Sequence, residues 1–154
     1  NFISGESSYQ VNISKKAIAT GKWSGLGPGK SVQKHVLPHA SSDFIFAIII
    51  EEYSIVGGIL ILGLYISFLI RILAISLRIK LMFPYLLLIG LGVLIVFQAF
   101  LNMSVSLGIV PVTGQTLPLI SKGGSSIWIT SIAIGIILNI SHQFNKKNIN
   151  HEKQ

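Results

Sequence analysis

Three apolar runs divide the chain: Phe44 to Ile70, interrupted by Glu51-Glu52; Leu81 to Leu101, broken only by Pro84 and Gln98; and Ile127 to Ile140. At 1.5 Å per helical residue, about 20 residues cross a hydrocarbon layer of roughly 30 Å. The first two runs meet that length, and the third meets it only with its small and polar flanks. The pattern predicts an all-α integral membrane protein and disfavours a soluble domain with buried core helices. The expected divisions are a loop over 1–42 with a short amphipathic helix, spans at 43–72, 81–107 and 124–143, a link at 73–80, a non-helical segment at 108–123 and a tail at 144–154.

The segment 108–123 is neither an ordinary loop nor a helix. It is apolar enough to stay near the membrane, yet Pro111, Gly114, Pro118, Gly123 and Gly124 in and beside it prevent a regular helix. Backbone of that kind is tolerated at membrane depth only where protein or a wet cavity satisfies it, so a broken or re-entrant segment is expected. Gln98 and Asn102, at i and i+4 on the preceding span, put two amides on one face. They either hold the core by hydrogen bonds or line a substrate path.

Ahead of the first span, residues 1–10 are polar, and Val11, Ile13, Ala17 and Ile18 give Gln10 to Thr20 an imperfect amphipathic stripe suited to a membrane surface. Gly21-Lys22-Trp23-Ser24-Gly25-Leu26-Gly27-Pro28-Gly29-Lys30 follows, a tightly shaped loop whose N–H groups and lysines either cradle an anion or simply turn the chain. It lacks the spacing of a nucleotide-binding loop. Trp23 serves equally as an interfacial anchor or a sugar platform. Ser41 or Ser42 is placed to cap the first span, with Asp43 in its first turn. Glu51, at i+8, falls on the same face as Asp43, and Glu52 points about 100° away. Two adjacent glutamates inside an apolar envelope need partners.

Charge refines this picture. The chain has 154 residues, 51% hydrophobic and 11% charged, with a net charge of +7. Arg71, Arg78 and Lys80 gather after the first span, and Lys146, Lys147 and Lys153 after the third. Both clusters lie on one side of a three-span chain, which the positive-inside rule makes cytoplasmic. Lys15, Lys16, Lys22, Lys30 and Lys34 then sit outside, against the rule, beside the acidic residues. A basic outer surface suits anionic headgroups or a phosphorylated lipid substrate, whereas no nucleic-acid motif accompanies the lysines. Cysteine is absent, which removes disulfides and thiolate metal sites. The chain begins with Asn and reads as the C-terminal part of something larger.

Two long motifs resemble the SEDS family (shape, elongation, division and sporulation), most closely its cell-division members in Bacteroidetes-like bacteria. The first comprises Gly25-Leu26-Gly27-Pro28-Gly29-Lys30-Ser31, Gln33-Lys34, Leu37-Pro38-His39, Ser42-Asp43-Phe44-Ile45-Phe46-Ala47 and Ile50-Glu51-Glu52-Tyr53. The second comprises Asn102 through Gly108, Pro111, Gly114, Pro118 and Ser121-Lys122-Gly123-Gly124-Ser125-Ser126. The likeness covers about Tyr9 to Ser141. It implies the last three spans of a bundle of about ten, preceded by a large external loop. Lys122 departs from the family's uncharged residue, and it either adds an anion contact or snorkels to the interface.

The resemblance implies a peptidoglycan glycosyltransferase that polymerises lipid II with a class B penicillin-binding protein as partner, alongside other division proteins. It matches the family's essential aspartate to Asp43 and its acidic pair to Glu51-Glu52. Glycosyl transfer needs a base for the acceptor hydroxyl and positive charge for the departing pyrophosphate. Asp43 is therefore the expected general base toward the GlcNAc 4-hydroxyl, with inversion at the donor's anomeric carbon. Glu51 tunes or organises it, or Asp43 helps coordinate a divalent cation such as Mg2+ or Mn2+. His39 binds pyrophosphate or satisfies loop backbone. Lys30 and Lys34 are weaker pyrophosphate candidates, and Glu52, Gln98, Asn102, Thr113, Lys122 and Ser125 are expected to bind substrate or organise the site. Two other classes compete: a lipid II transporter and a noncatalytic division scaffold.

Overall fold

The computed structural model describes residues 12–19, 27, 44–111, 113–121 and 123–151, with side chains as far as Phe144. All secondary structure among the described residues is helical. A short helix α1 covers residues 12–19, followed by α2 (Ile45–Ser76), α3 (Met82–Ser106) and α4 (Gly124–His151). α2, α3 and Gly124–Phe144 of α4 are each long and apolar enough to cross a membrane.

Local sequence explains where these helices begin and end. α2 continues to Ser76, past the expected 72, because Ile72-Leu73-Ala74-Ile75 contains no residue that breaks a helix. The link to α3 shortens accordingly to Leu77–Leu81. Pro84 falls in the first turn of α3, where its missing N–H costs nothing. Phe44, not Ser41 or Ser42, occupies the N-cap of α2 and makes no side-chain cap bond. The carbonyl of Phe44 instead accepts from the N–H groups of Ala47 and Ile48. Asp43 lies outside the described residues, as do Lys30, Lys34, His39 and Lys122.

α2 and α3 run antiparallel through their short link, and α4 packs on α3. Between helices in lipid there is no hydrophobic drive, so close contact at small residues matters most. Gly92 of α3 is the point of approach: a Cβ there would lie 2.5 Å from Cδ1 and 2.9 Å from Cγ2 of the buried Ile72. Around this contact Leu88, Ile95, Ala99 and Met103 of α3 join Tyr65 of α2 and Ala133 and Ile137 of α4 in one core.

We call the end of the bundle holding Glu51 and Glu52 the acidic end, and that holding Arg71, Arg78 and Lys80 the basic end. At the acidic end α1 buries Ile13, Ser14 and Ala17 and exposes Lys15 and Lys16. Its apolar stripe, expected on a membrane surface, rests on protein: Ile13 clusters with Phe44 and Ile48 of α2 and Val105 of α3.

Substituting Gly92→Ala is expected to destabilise the full-length protein by about 1–3 kcal/mol through overpacking. The companion change Ile72→Val removes the nearest atom and should recover part of that loss. Thermal unfolding in detergent measures both, and strictly additive effects would contradict the contact.

Candidate active site

Glu51 lies at the acidic end and is fully buried, at 0% exposure, whereas Glu52 is half-buried and Tyr53 exposed. The face positions set this order, because Phe44, Ile48 and Glu51 follow one another at i, i+4 and i+7. Phe44 and Ile48 pack toward α1 and α3, so Glu51 is carried inward on the same face.

Three residues later the helix breaks. Ser54 has φ 68° and ψ 177°, a conformation essentially reserved for glycine and costing of order 1–3 kcal/mol in another residue. The break also explains Gly57, where an added Cβ would lie only 2.6 Å from the Cβ of Tyr53. In an unbroken helix those positions are about 5–6 Å apart. A broken ladder leaves carbonyls without their i+4 donors. One of them, that of Glu52, accepts from the N–H of Gly27 at 3.1 Å. Gly27 itself has φ 92°, which explains a glycine there. That N–H of the glycine-rich loop is therefore spent on the acidic pair's backbone rather than on an anion.

The expected broken segment lies alongside. After α3 ends, Gly108 turns with φ 71° and the chain folds back along the helix it has just left. Asn102 donates from Nδ2 to the carbonyl of Gln115 at 2.6 Å, and Gln98 from Nε2 to that of Thr116 at 3.2 Å. Tyr65 of α2 then donates its hydroxyl to the carbonyl of Pro118 at 2.5 Å. Gln98 is eight residues before Ser106, so the segment returns about 12 Å along α3. Ser121 Oγ accepts from the N–H of Leu117 at 2.8 Å, and Thr116 Oγ1 donates to Ser126 Oγ at 2.8 Å. Leu119 adopts φ 66° at the tip, beside an apolar groove of about 230 Å³ bounded by Tyr65, Phe68, Ile95 and Ile134.

The structure thus gives Gln98 and Asn102 a direct task, holding backbone. Thr113 and Ser125 are exposed, and the neighbouring Ser126 makes the tie to Thr116. Tyr65 and Thr116 were not among the expected site residues, and Ser121 and Ser126 stood only within the second motif. The signal for Tyr65 was a phenol deep in an apolar run. Among the described residues no three His, Cys, Asp or Glu side chains gather in a way that could hold a metal. Asp43, the expected ligand, lies outside them.

A family model described as "Cell cycle protein", covering FtsW, RodA and SpoVE, matches residues 3–146. The chain belongs to this family. Among similar curated proteins, one from Lactococcus lactis named "Probable peptidoglycan glycosyltransferase FtsW" is 41% identical over 93% of this chain and 34% of its own length. Proteins of the same name from Xanthomonas oryzae and Marinobacter nauticus are 41% and 42% identical over 89% and 88% of this chain, and 29% and 35% of their own lengths. The chain spans about a third of the length of these relatives. The FtsW/RodA/SpoVE match covers both motifs, with the broken α2 and the folded-back segment inside it. With its three apolar helices, this is a multi-pass membrane protein.

Two outcomes test this geometry in the full-length protein. Ser54→Gly should raise stability by about 1 kcal/mol by relieving the backbone, and Gly57→Ala should lower it; a thermal melt in which Gly57→Ala is neutral would refute the break. In a background freed of other cysteines, Leu117→Cys places a thiol at a buried position. Adding Asn102→Leu should speed its labelling about tenfold, the effect of losing one part-buried hydrogen bond to the segment's backbone.

Proposed function

We propose that the protein to which this chain belongs polymerises lipid II, the undecaprenyl-pyrophosphate-linked disaccharide pentapeptide, into glycan strands during cell division. The name its relatives carry, probable peptidoglycan glycosyltransferase, supports this reading. The observation that carries it is the buried Glu51, one turn before a backbone conformation unfavourable for serine, at the mouth of a membrane helix. Strain and a buried carboxylate together are costly, and such costs concentrate at functional sites.

In the proposed reaction the carboxylate of Asp43 takes the proton of the acceptor GlcNAc 4-hydroxyl as its oxygen bonds to the donor's anomeric carbon. The bond from that carbon to the lipid pyrophosphate breaks, the pyrophosphate leaves with the electron pair, and configuration inverts. Glu51 organises the helix segment that follows Asp43. His39, Lys30 and Lys34 are proposed to face the pyrophosphate, and no step is routed through a cation. A class B penicillin-binding protein is the proposed partner. The proposed setting is the bacterial inner membrane at the septum, with residues 1–42 outside and the C-terminus in the cytoplasm.

The test is polymerisation of lipid II by the full-length protein with its partner, with and without Mg2+. Asp43→Asn should lower the rate about 10²–10⁴-fold, the contribution of a general base, while the melting temperature stays put. Undiminished polymer from Asp43→Asn would remove the assigned role. Translocation of labelled lipid II across vesicles without polymer would favour the transport reading instead.

A further inference from the structure

The basic end holds a cleft that the proposed reaction does not use. α3 and α4 share the core through Leu88, Ala133 and Ile137. Leu81, Met82 and Phe83 are exposed, and a cavity of about 340 Å³ opens between the start of α3 and the second half of α4. Phe83, Leu87, Ile136 and Ile140 give it apolar walls, while Asn139 and Gln143 supply its polar edge. Those two amides are bonded to each other, Gln143 Nε2 donating to Asn139 Oδ1 at 3.2 Å. That bond uses the Asn139 oxygen and leaves its NH2 group as a donor at this edge.

Position and charge narrow what can fill it. Leu81 lies just before the apolar stretch of α3, and Phe144 ends that of α4, so the mouth of the cleft lies where both spans meet the membrane boundary. Lys80 directly precedes Leu81, Arg78 lies two residues earlier, and both are exposed. Lys146 and Lys147 follow Phe144 in sequence. No Asp or Glu occurs between Glu52 and Glu152, so no carboxylate from the intervening chain offsets these cations. A soluble anion would answer the charge but leave the apolar walls wet. A zwitterionic lipid would fill the walls but carry no net charge to meet the cations.

We propose that this cleft binds an anionic phospholipid, with an acyl chain between α3 and α4 and the phosphate at the rim near Lys80, Arg78 and Asn139. Basic pockets between membrane helices favour such headgroups. The inference is independent of glycosyl transfer at the other end.

Its test is native mass spectrometry of the full-length protein in detergent, titrated with phosphatidylglycerol or phosphatidylcholine. Wild type should retain phosphatidylglycerol preferentially. Arg78→Gln and Lys80→Gln should each weaken that retention about fivefold and leave phosphatidylcholine unchanged. Leu87→Trp, which fills the cleft, should abolish preferential retention. Ile136→Trp, at a more exposed wall position, should do the same and guards against a folding defect in the first variant. The proposal is overturned if the two lipids are retained equally, if either pair of variants behaves as wild type, or if no phospholipid is retained. The last result would mean that the rest of the protein covers the cleft.

Discussion

Hydrocarbon offers no hydrogen bonds, so every interruption of a helix inside a membrane must be answered by another part of the protein. Among the described residues there are two interruptions, and most of the notable polar contacts are answers to them. Where the segment between α3 and α4 leaves helical geometry, Asn102, Gln98 and Tyr65 meet three nearby carbonyls, those of Gln115, Thr116 and Pro118. Where α2 breaks at Ser54, the N–H of Gly27 meets the carbonyl of Glu52. The four donors come from α2, α3 and Gly27, so satisfying the backbone also ties the folded-back segment to both helices and Gly27 to α2.

These ties bear on how firmly the acidic pair is held. Gly57 admits the close approach of Tyr53, and Phe44 and Ile48 seat the first turns of α2 against α1 and α3. The half of α2 that carries Glu51 is thereby fixed independently of the half that passes Gly92. In the proposed reaction the proton goes to Asp43, directly before Phe44 in sequence, and such a group must be kept within a fraction of an ångström of productive geometry by its supporting shell. A short helix segment pinned on two sides meets that need better than one long helix free to rock about its far end.

The parts legible in sequence were those with a periodic or compositional signal. The three spans followed from run length, the non-helical segment from proline and glycine in an apolar context, and the shared face of Gln98 and Asn102 from i, i+4 spacing. The break at Ser54 was not legible, because a serine among isoleucines carries no mark of a positive φ. Its trace was Gly57, a glycine three residues further along an apolar run. Ser41 and Ser42 looked like caps by residue type, yet Phe44 took that position because the segment is anchored by burial of its ring. Tyr65 and Ser126 act across 53 and 10 residues of chain, and pairings of that kind leave no local pattern to read.

Against this background Glu51 stands apart from the other buried polar residues. Wherever the fold needs to satisfy backbone at depth it uses neutral groups: two amides, a phenol and several hydroxyls. A neutral amide at position 51 would carry a similar volume and hydrogen-bonding capacity at a much lower desolvation cost. Between residues 53 and 151 the chain keeps no carboxylate at all. Full burial of a carboxyl group beside a strained backbone, eight residues after Asp43, therefore supports the organising role proposed for Glu51 more than a need for a hydrogen bond, which a neutral amide would meet.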